Sequence, residues 1–195
     1  MKQFIFLTFA ALLCISGCNS NPKTMNKDFL QLATDRYSVR SFDATPVDQA
    51  AIDKILRAGQ VAPTAINSQP QKIYVVRTPE AIAKLNTLSP CLYGAPQCFV
   101  FCYDDTKVAA RGEGDNYGDI DVTIVLTHMM LEAANLGIGT CAVGYFDREK
   151  LIAELELPVN IHPILLMPLG YAAADAKPSD RHSSYRPLEE TVEYR

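Results

Sequence analysis

No excess of charge of one sign, no apolar run of membrane-spanning length and no internal repeat occur in the 195 residues of this chain. Each absence narrows the field. A formal net charge of −4 leaves no basic surplus, which argues against a nucleic-acid binder, since such proteins usually present a basic face. With 48% apolar and 21% charged residues, the chain is neither an intrinsically disordered segment nor a polytopic membrane protein. No Cys-x-x-Cys pair occurs and no histidine stands close to a cysteine, so zinc is a weak reading. Tryptophan is absent, and that excludes nothing. At roughly 150 residues per domain the length fits one globular domain, large enough to bury about 70% of its unfolded surface.

The N-terminus stands apart from that domain. Met1 and Lys2 make a short positive start, and residues 4–15 are apolar, well short of the about 20 residues a membrane span needs. Ser16 and Gly17 then set small side chains before Cys18. The ISGC run at 15–18 looks like the lipobox of bacterial lipoproteins, in which the cysteine thiol is diacylated and cleavage leaves it as the new N-terminus. An ordinary secretory signal that happens to carry a cysteine is the alternative. Residues 1–17 are therefore expected to be a lipoprotein signal peptide, the polar stretch 18–26 a tether, and 27–195 the folded domain. An exported, membrane-anchored protein of the cell envelope follows, lipidated at Cys18.

Cys91, Cys98, Cys102 and Cys141 remain in the domain. Four cysteines in an oxidising compartment allow three pairings. Cys98 and Cys102 share a strand-like run at 97–103 (QCFVFCY), where four residues span about 13 Å, too far for a disulfide. Buried free thiols are the default for the four.

Apolar residues at helical spacing mark helices over 27–35 and 47–62, the second with Ala51, Ile52, Ile55, Leu56 and Ala58 on one face and Pro63 at its end. A short strand over 72–77 precedes a helix opening at Pro79, with Ile82 and Leu85 on its apolar side. The strand 97–103, a polar glycine-containing loop over 111–118 and a long helix over 119–135, stopped by Gly137, come next. That helix is apolar almost all round, so it is either central or shared with a second subunit. A strand over 139–146, a helix from an Asp147 cap to Leu155 and a strand over 164–169 follow. From Tyr171 the tail reads as loop. Interleaved helices and strands give an α+β or α/β sandwich.

Four segments carry chemistry. At 36–40 (RYSVR), Arg36, Ser38 and Arg40 share a face of an extended chain. Two guanidinium groups and a hydroxyl suit a phosphate, each charge-assisted hydrogen bond contributing about 1.5–3 kcal/mol; a solvated basic face is the bland alternative. At 62–70 (APTAINSQP), Pro63 and Pro70 bracket a loop whose Asn67 and Gln69 amides each offer a donor and an acceptor. That pairing suits the mixed edge of a flat heterocycle such as a flavin, although a turn satisfying its own backbone would look the same. At 137–147 (GIGTCAVGYFD), glycines at 137, 139 and 144 let backbone approach a ligand, but the spacing is not the dinucleotide fingerprint. In the tail, Arg181 and Arg186 could close on the anion that Arg36 binds.

Together the four segments resemble the nitroreductase family of FMN-dependent oxidoreductases. RYSVRSF at 36–42, APTAINSQP at 62–70, the GIGTC run with Phe146 and Asp147, LP at 157–158, LGY at 169–171 and RPLEE at 186–190 occur in the family's order. Gln71 stands where the family often has tryptophan, and Tyr185 where many members carry a basic residue. The resemblance implies an α+β three-layer sandwich, a central mostly antiparallel sheet with helices, dimerising through long helices with FMN at the dimer interface. By analogy Arg36 and Ser38 hold the phosphate and ribityl end of FMN, with Arg186 and Arg181 from the tail, and Arg40 lies near the pyrimidine edge. Asn67 and Gln69 come from the partner chain, backbone of Val143, Gly144 and Tyr145 faces the ring nitrogen N5, and Tyr37, Pro63 and Thr64 complete the FMN-lining set. The implied reaction carries hydride or electrons from NAD(P)H or another reduced donor to nitroaromatic, quinone or similar electron-poor acceptors. No protein nucleophile or general base is implied, because the flavin carries the chemistry. Reductive dehalogenation, flavin fragmentation and a non-enzymatic flavin-binding lipoprotein stay open as alternatives.

Overall fold

The computed structural model describes residues 28–195, so the expected signal peptide, the expected tether and Cys18 lie outside the described residues. Helix α1 (Phe29–Asp35) begins where the Asp28 carboxylate accepts the Leu30 N–H at 3.2 Å. Its Phe29 and Leu30, whose spacing suggests a buried face, are instead 66% and 70% exposed. Helix α2 (Gln49–Gln60) is shorter than 47–62, because the Asp48 side chain caps it by accepting from Ala51 N at 2.8 Å. Gly59 lets α2 lie close to a neighbouring helix: a Cβ there would sit 2.6 Å from Met129 Sδ.

Strand β1 (Gln71–Val76) leads to α3 (Pro79–Leu88), which opens on proline under a Thr78 cap and buries Ile82 and Leu85. Strand β2 (Gln97–Asp104) follows. The expected loop at 111–118 contains a small hairpin, β3 (Ala110–Gly112) and β4 (Asp115–Asn116). Its turn passes through Gly112 and Gly114, both at positive φ, which glycine adopts without steric penalty. Helix α4 (Gly118–Asn135) ends as its glycine signals: Ile138 N–H donates to Ala133 O at 2.8 Å and Gly137 N–H to Ala134 O at 3.0 Å, a Schellman closure around Gly137 at φ 75°.

The expected strand over 139–146 is reduced to β5 (Gly139–Thr140) and an isolated bridge between Val143 and Leu166. Proline explains the break. Cys141 N–H reaches Pro168 O at 3.3 Å, but Pro168 has no N–H to return the second bond of that pair. Helix α5 (Arg148–Glu154) is capped by Asp147 as read, and β6 (Ile161–Gly170) is longer than 164–169. His162 lies within β6, stacked on Tyr103 at 4.8 Å with Nε2 2.8 Å from an Asp105 oxygen.

The main sheet has the order β1-β2-β6-β5 and is antiparallel throughout. Alternation along β2 divides the interior. Phe99 and Phe101 pack with Ile52, Ile55, Val122, Val125 and Met129 of α2 and α4. Cys98, Val100 and Cys102 face the other way, with Ile82, Leu85 and Leu151 of α3 and α5. Helices thus cover both faces of one sheet, the α+β three-layer sandwich expected. Cys91, Cys98, Cys102 and Cys141 are all free thiols, and burial pushes Cys98 and Cys102 up to about 12. Among the described residues no helix is long and apolar enough to cross a membrane.

Candidate active site

The chain leaves α1 in extended conformation, with Arg36 at φ −63° and ψ 123°. Ser38 then bridges Thr140 of β5 in parallel, and Val39 N–H donates to Thr140 O at 3.0 Å. Val39 is driven inward, 2% exposed. Gly139 permits this docking, since a Cβ there would lie 2.6 Å from a Val39 methyl. Arg36 and Ser38 remain half-buried and Arg40 exposed, with Arg40 Nη1 donating to Ser38 O at 3.2 Å.

Beyond β6 the tail returns to this segment: Asp43 N–H donates to Tyr171 O at 2.9 Å and Ala173 N–H to Ser41 O at 3.1 Å. Arg36, Tyr37, Ser38, Arg40, Ser179, Arg181 and His182 line a cavity of about 500 Å³. Tyr37 and His182 meet edge to face at 6.1 Å. None of the ion pairs among the described residues uses Arg36, Arg40 or Arg181, so three guanidinium groups border one cavity with no carboxylate of the described residues to neutralise them. Of the two tail arginines singled out in the sequence, Arg181 reaches the cavity wall; Arg186 is exposed and does not line it. The cationic field extends inward. Burial pushes the Cys141 thiol up, while the Arg40 guanidinium and the Ser38 hydroxyl pull it down. Cys91 and burial raise the Tyr93 hydroxyl, against an opposing pull from Arg40.

The loop between Pro63 and Pro70 presents Asn67 and Gln69 outward, both exposed, away from that cavity in the same chain. Thr64 braces it: its Oγ1 accepts the Gln69 N–H at 3.0 Å and its carbonyl the Asn67 N–H at 3.0 Å. In the glycine-rich run, the fold itself accounts for Gly137 as a helix stop and for Gly139 as a close contact. Gly144 has room that no turn or close contact explains, a Cβ meeting only Leu165 at 3.7 Å. Val143 is anchored to Leu166 by paired bonds of 2.8 Å, and the Tyr145 carbonyl accepts from the buried Ser89 hydroxyl at 2.6 Å. This backbone is therefore held rigidly next to open space. Sequence reasoning missed Ser89 and Ser179, neither of which carries a local signal. His182 of the tail lines the cavity as well.

Such an architecture, one antiparallel sheet between helical layers with a cationic cleft where the N-terminal segment, β5 and the tail meet, defines an α+β scaffold built to take an anionic ligand. Residues 33–90 and 86–171 match the Nitroreductase family model, and the chain belongs to that family. It is similar to an FMN reductase [NAD(P)H] of Bacillus subtilis, with 30% identity over 165 residues covering 75% of this chain and 66% of that enzyme. An NADPH-dependent oxidoreductase of Staphylococcus saprophyticus is 28% identical over 175 residues, 80% of this chain and 70% of the relative. Among solved structures, a nitroreductase family protein of Clostridium difficile superimposes with a TM-score of 0.80 at 36% identity, over 86% of this chain and 98% of that one.

Proposed function

We propose that this chain is an FMN-dependent oxidoreductase that carries hydride or electrons from NAD(P)H to nitroaromatic, quinone or similar electron-poor acceptors. One observation supports it above the others: three arginines, unpaired by described carboxylates, around a cavity of about 500 Å³ in a member of the Nitroreductase family. Ligand cavities are usually about 300–1,000 Å³, and the FMN phosphate is the dianion such a cluster suits. The residues present fit FMN, and FMN is the cofactor.

Bound FMN supplies hydride transfer at ring N5; the chain binds, orients and polarises. Arg36, Ser38 and Arg181 hold the phosphate end, with Tyr37 beside them. Arg186 is assigned there by family analogy alone. Arg40 sets a positive charge toward the ring, where it favours the reduced, anionic form. Val143, Gly144 and Tyr145 line the N5 side, where the open space at Gly144 admits a flat ring. Pro63, Thr64, Asn67 and Gln69 serve the site of a partner chain in a homodimer. The exposed Phe29 and Leu30 next to α4, and the shallow cavity that Phe29 and Leu32 form with Thr127, His128 and Leu131, support that assembly. The purified protein is expected to be yellow, to bleach on anaerobic addition of NADH or NADPH, and to scatter light as twice the chain mass. A colourless protein that gains no colour from added FMN would overturn the flavin reading, and a flavin-loaded monomer the shared site.

The same proposal places residues 1–17 as a lipoprotein signal, 18–26 as a tether and 27–195 as an exported domain anchored through Cys18, on the strength of the ISGC run. Labelled fatty acid is expected to enter the wild-type protein and not Cys18→Ser, which should partition as a soluble exported protein. Failure of the wild-type protein to take up label leaves a plain secretory signal.

A further inference from the structure

Asp121 lies in the first turn of α4, among the apolar residues of that helix, and is 2% exposed. Its Oδ1 accepts the backbone N–H of Ala65 at 2.9 Å, across 56 residues of sequence, and its Oδ2 has no partner among the described residues. The loop it reaches is the strained one. Ile66, Asn67 and Gln69 have φ of 49°, 58° and 48°, the left-handed region that non-glycine residues adopt only when the surroundings impose it. Thr64 braces the loop from within. Pro70 O, at its far end, accepts the Asp104 N–H at 2.8 Å. Among the described residues, Asp121 provides the one hydrogen bond from outside to the loop's strained middle.

We infer that Asp121 is a positioning residue for flavin binding: it fixes the loop so that the Asn67 and Gln69 amides are presented in one orientation. This rests on the reading that those amides meet a bound flavin ring. A buried carboxylate with one backbone partner is an expensive way to fill space, and a side chain held by its surroundings is what an oriented amide requires. The Ser68 Oγ and Gln71 Oε1 atoms are also buried with no partner among the described residues, so neither of these side chains substitutes for the Asp121 contact.

Three measurements test it on the whole protein: hydrogen exchange at the Ala65 amide, FMN affinity by fluorescence titration, and the reduction potential of the bound flavin. Asp121→Ala should melt as a folded protein, lose protection at Ala65 and bind FMN about tenfold more weakly, as expected for one lost hydrogen bond. Asp121→Asn, which keeps an acceptor oxygen, should stay near wild type in all three. In double-mutant cycles on FMN affinity, Asp121→Ala should be non-additive with Gln69→Ala and additive with Arg36→Ala, because the first pair shares one loop and the second does not. Unchanged FMN affinity and potential despite lost Ala65 protection would overturn the inference, as would Asp121→Asn behaving like the alanine variant. If Asp121→Ala does not fold, Asp121→Leu, which fills similar space in the apolar surroundings without an acceptor, takes its place in the same three measurements and in both cycles. A wild-type protein that binds no FMN would instead sink the functional reading, with the exchange data left to report on the loop alone.

Discussion

Arg36→Ala is expected to purify largely colourless and to regain activity only with added FMN. The phosphate of FMN carries nearly two negative charges at neutral pH, and burying them uncompensated costs several kcal/mol. Arg36 is half-buried at the C-cap of α1, two residues from Ser38, on the wall of the cavity it shares with Arg181. One charge-assisted hydrogen bond is worth about 1.5–3 kcal/mol, so FMN affinity should fall by roughly 10- to 150-fold. Arg40→Ala should behave differently. It is exposed and bonded to the Ser38 carbonyl, and its assigned place is the ring rather than the phosphate. Its loss should leave more flavin bound but lower the reduction potential, since the charge favouring the reduced ring is gone. Wild-type FMN affinity in Arg36→Ala would show that the phosphate is held elsewhere and would return the RYSVR segment to a solvated basic face.

Phe101→Ala should be the most damaging single change to the fold. Phe101 is fully buried in the middle of β2, between Ile73 on β1 and Leu165 on β6, and faces the α2 and α4 layer. Removing a buried phenyl group costs about 3–5 kcal/mol, a large share of the about 5–15 kcal/mol that holds a domain. At about 2–4 °C per kcal/mol for a chain of this size, the melting temperature should drop by roughly 6–20 °C. Val159→Ala, at a position 95% exposed, should stay within about 0.5 kcal/mol of wild type. Calorimetry of the two variants checks both; equal melting temperatures would mean that Phe101 is not where the sheet and helices lock together.

The sequence by itself determined whatever depends on near neighbours along the chain. Asp48, Thr78 and Asp147 cap helices because each carboxylate or hydroxyl needs only an N–H three residues on. Gly137 ends α4 because one residue at positive φ closes the last turn. The apolar run at 97–103 read as a strand, and the arginine and glycine segments, in the order they occur, pointed to the family and its flavin. What tertiary structure decided was every feature set by segments distant in sequence. Pro168 shortens β5 only because it falls opposite Cys141. Phe29 and Leu30 have the spacing of a buried face, yet among the described residues of one chain nothing covers them. Arg181 reaches the cavity beside Arg36 and Arg186 does not, a distinction that depends on how the tail folds back past Tyr37. Asp121 is one acidic residue in a largely apolar helix, and only the fold brings the Ala65 N–H to 2.9 Å from it. Local hydrogen bonds and backbone preferences are encoded within a few residues; which polar group meets which across the core is fixed only when the whole chain has packed.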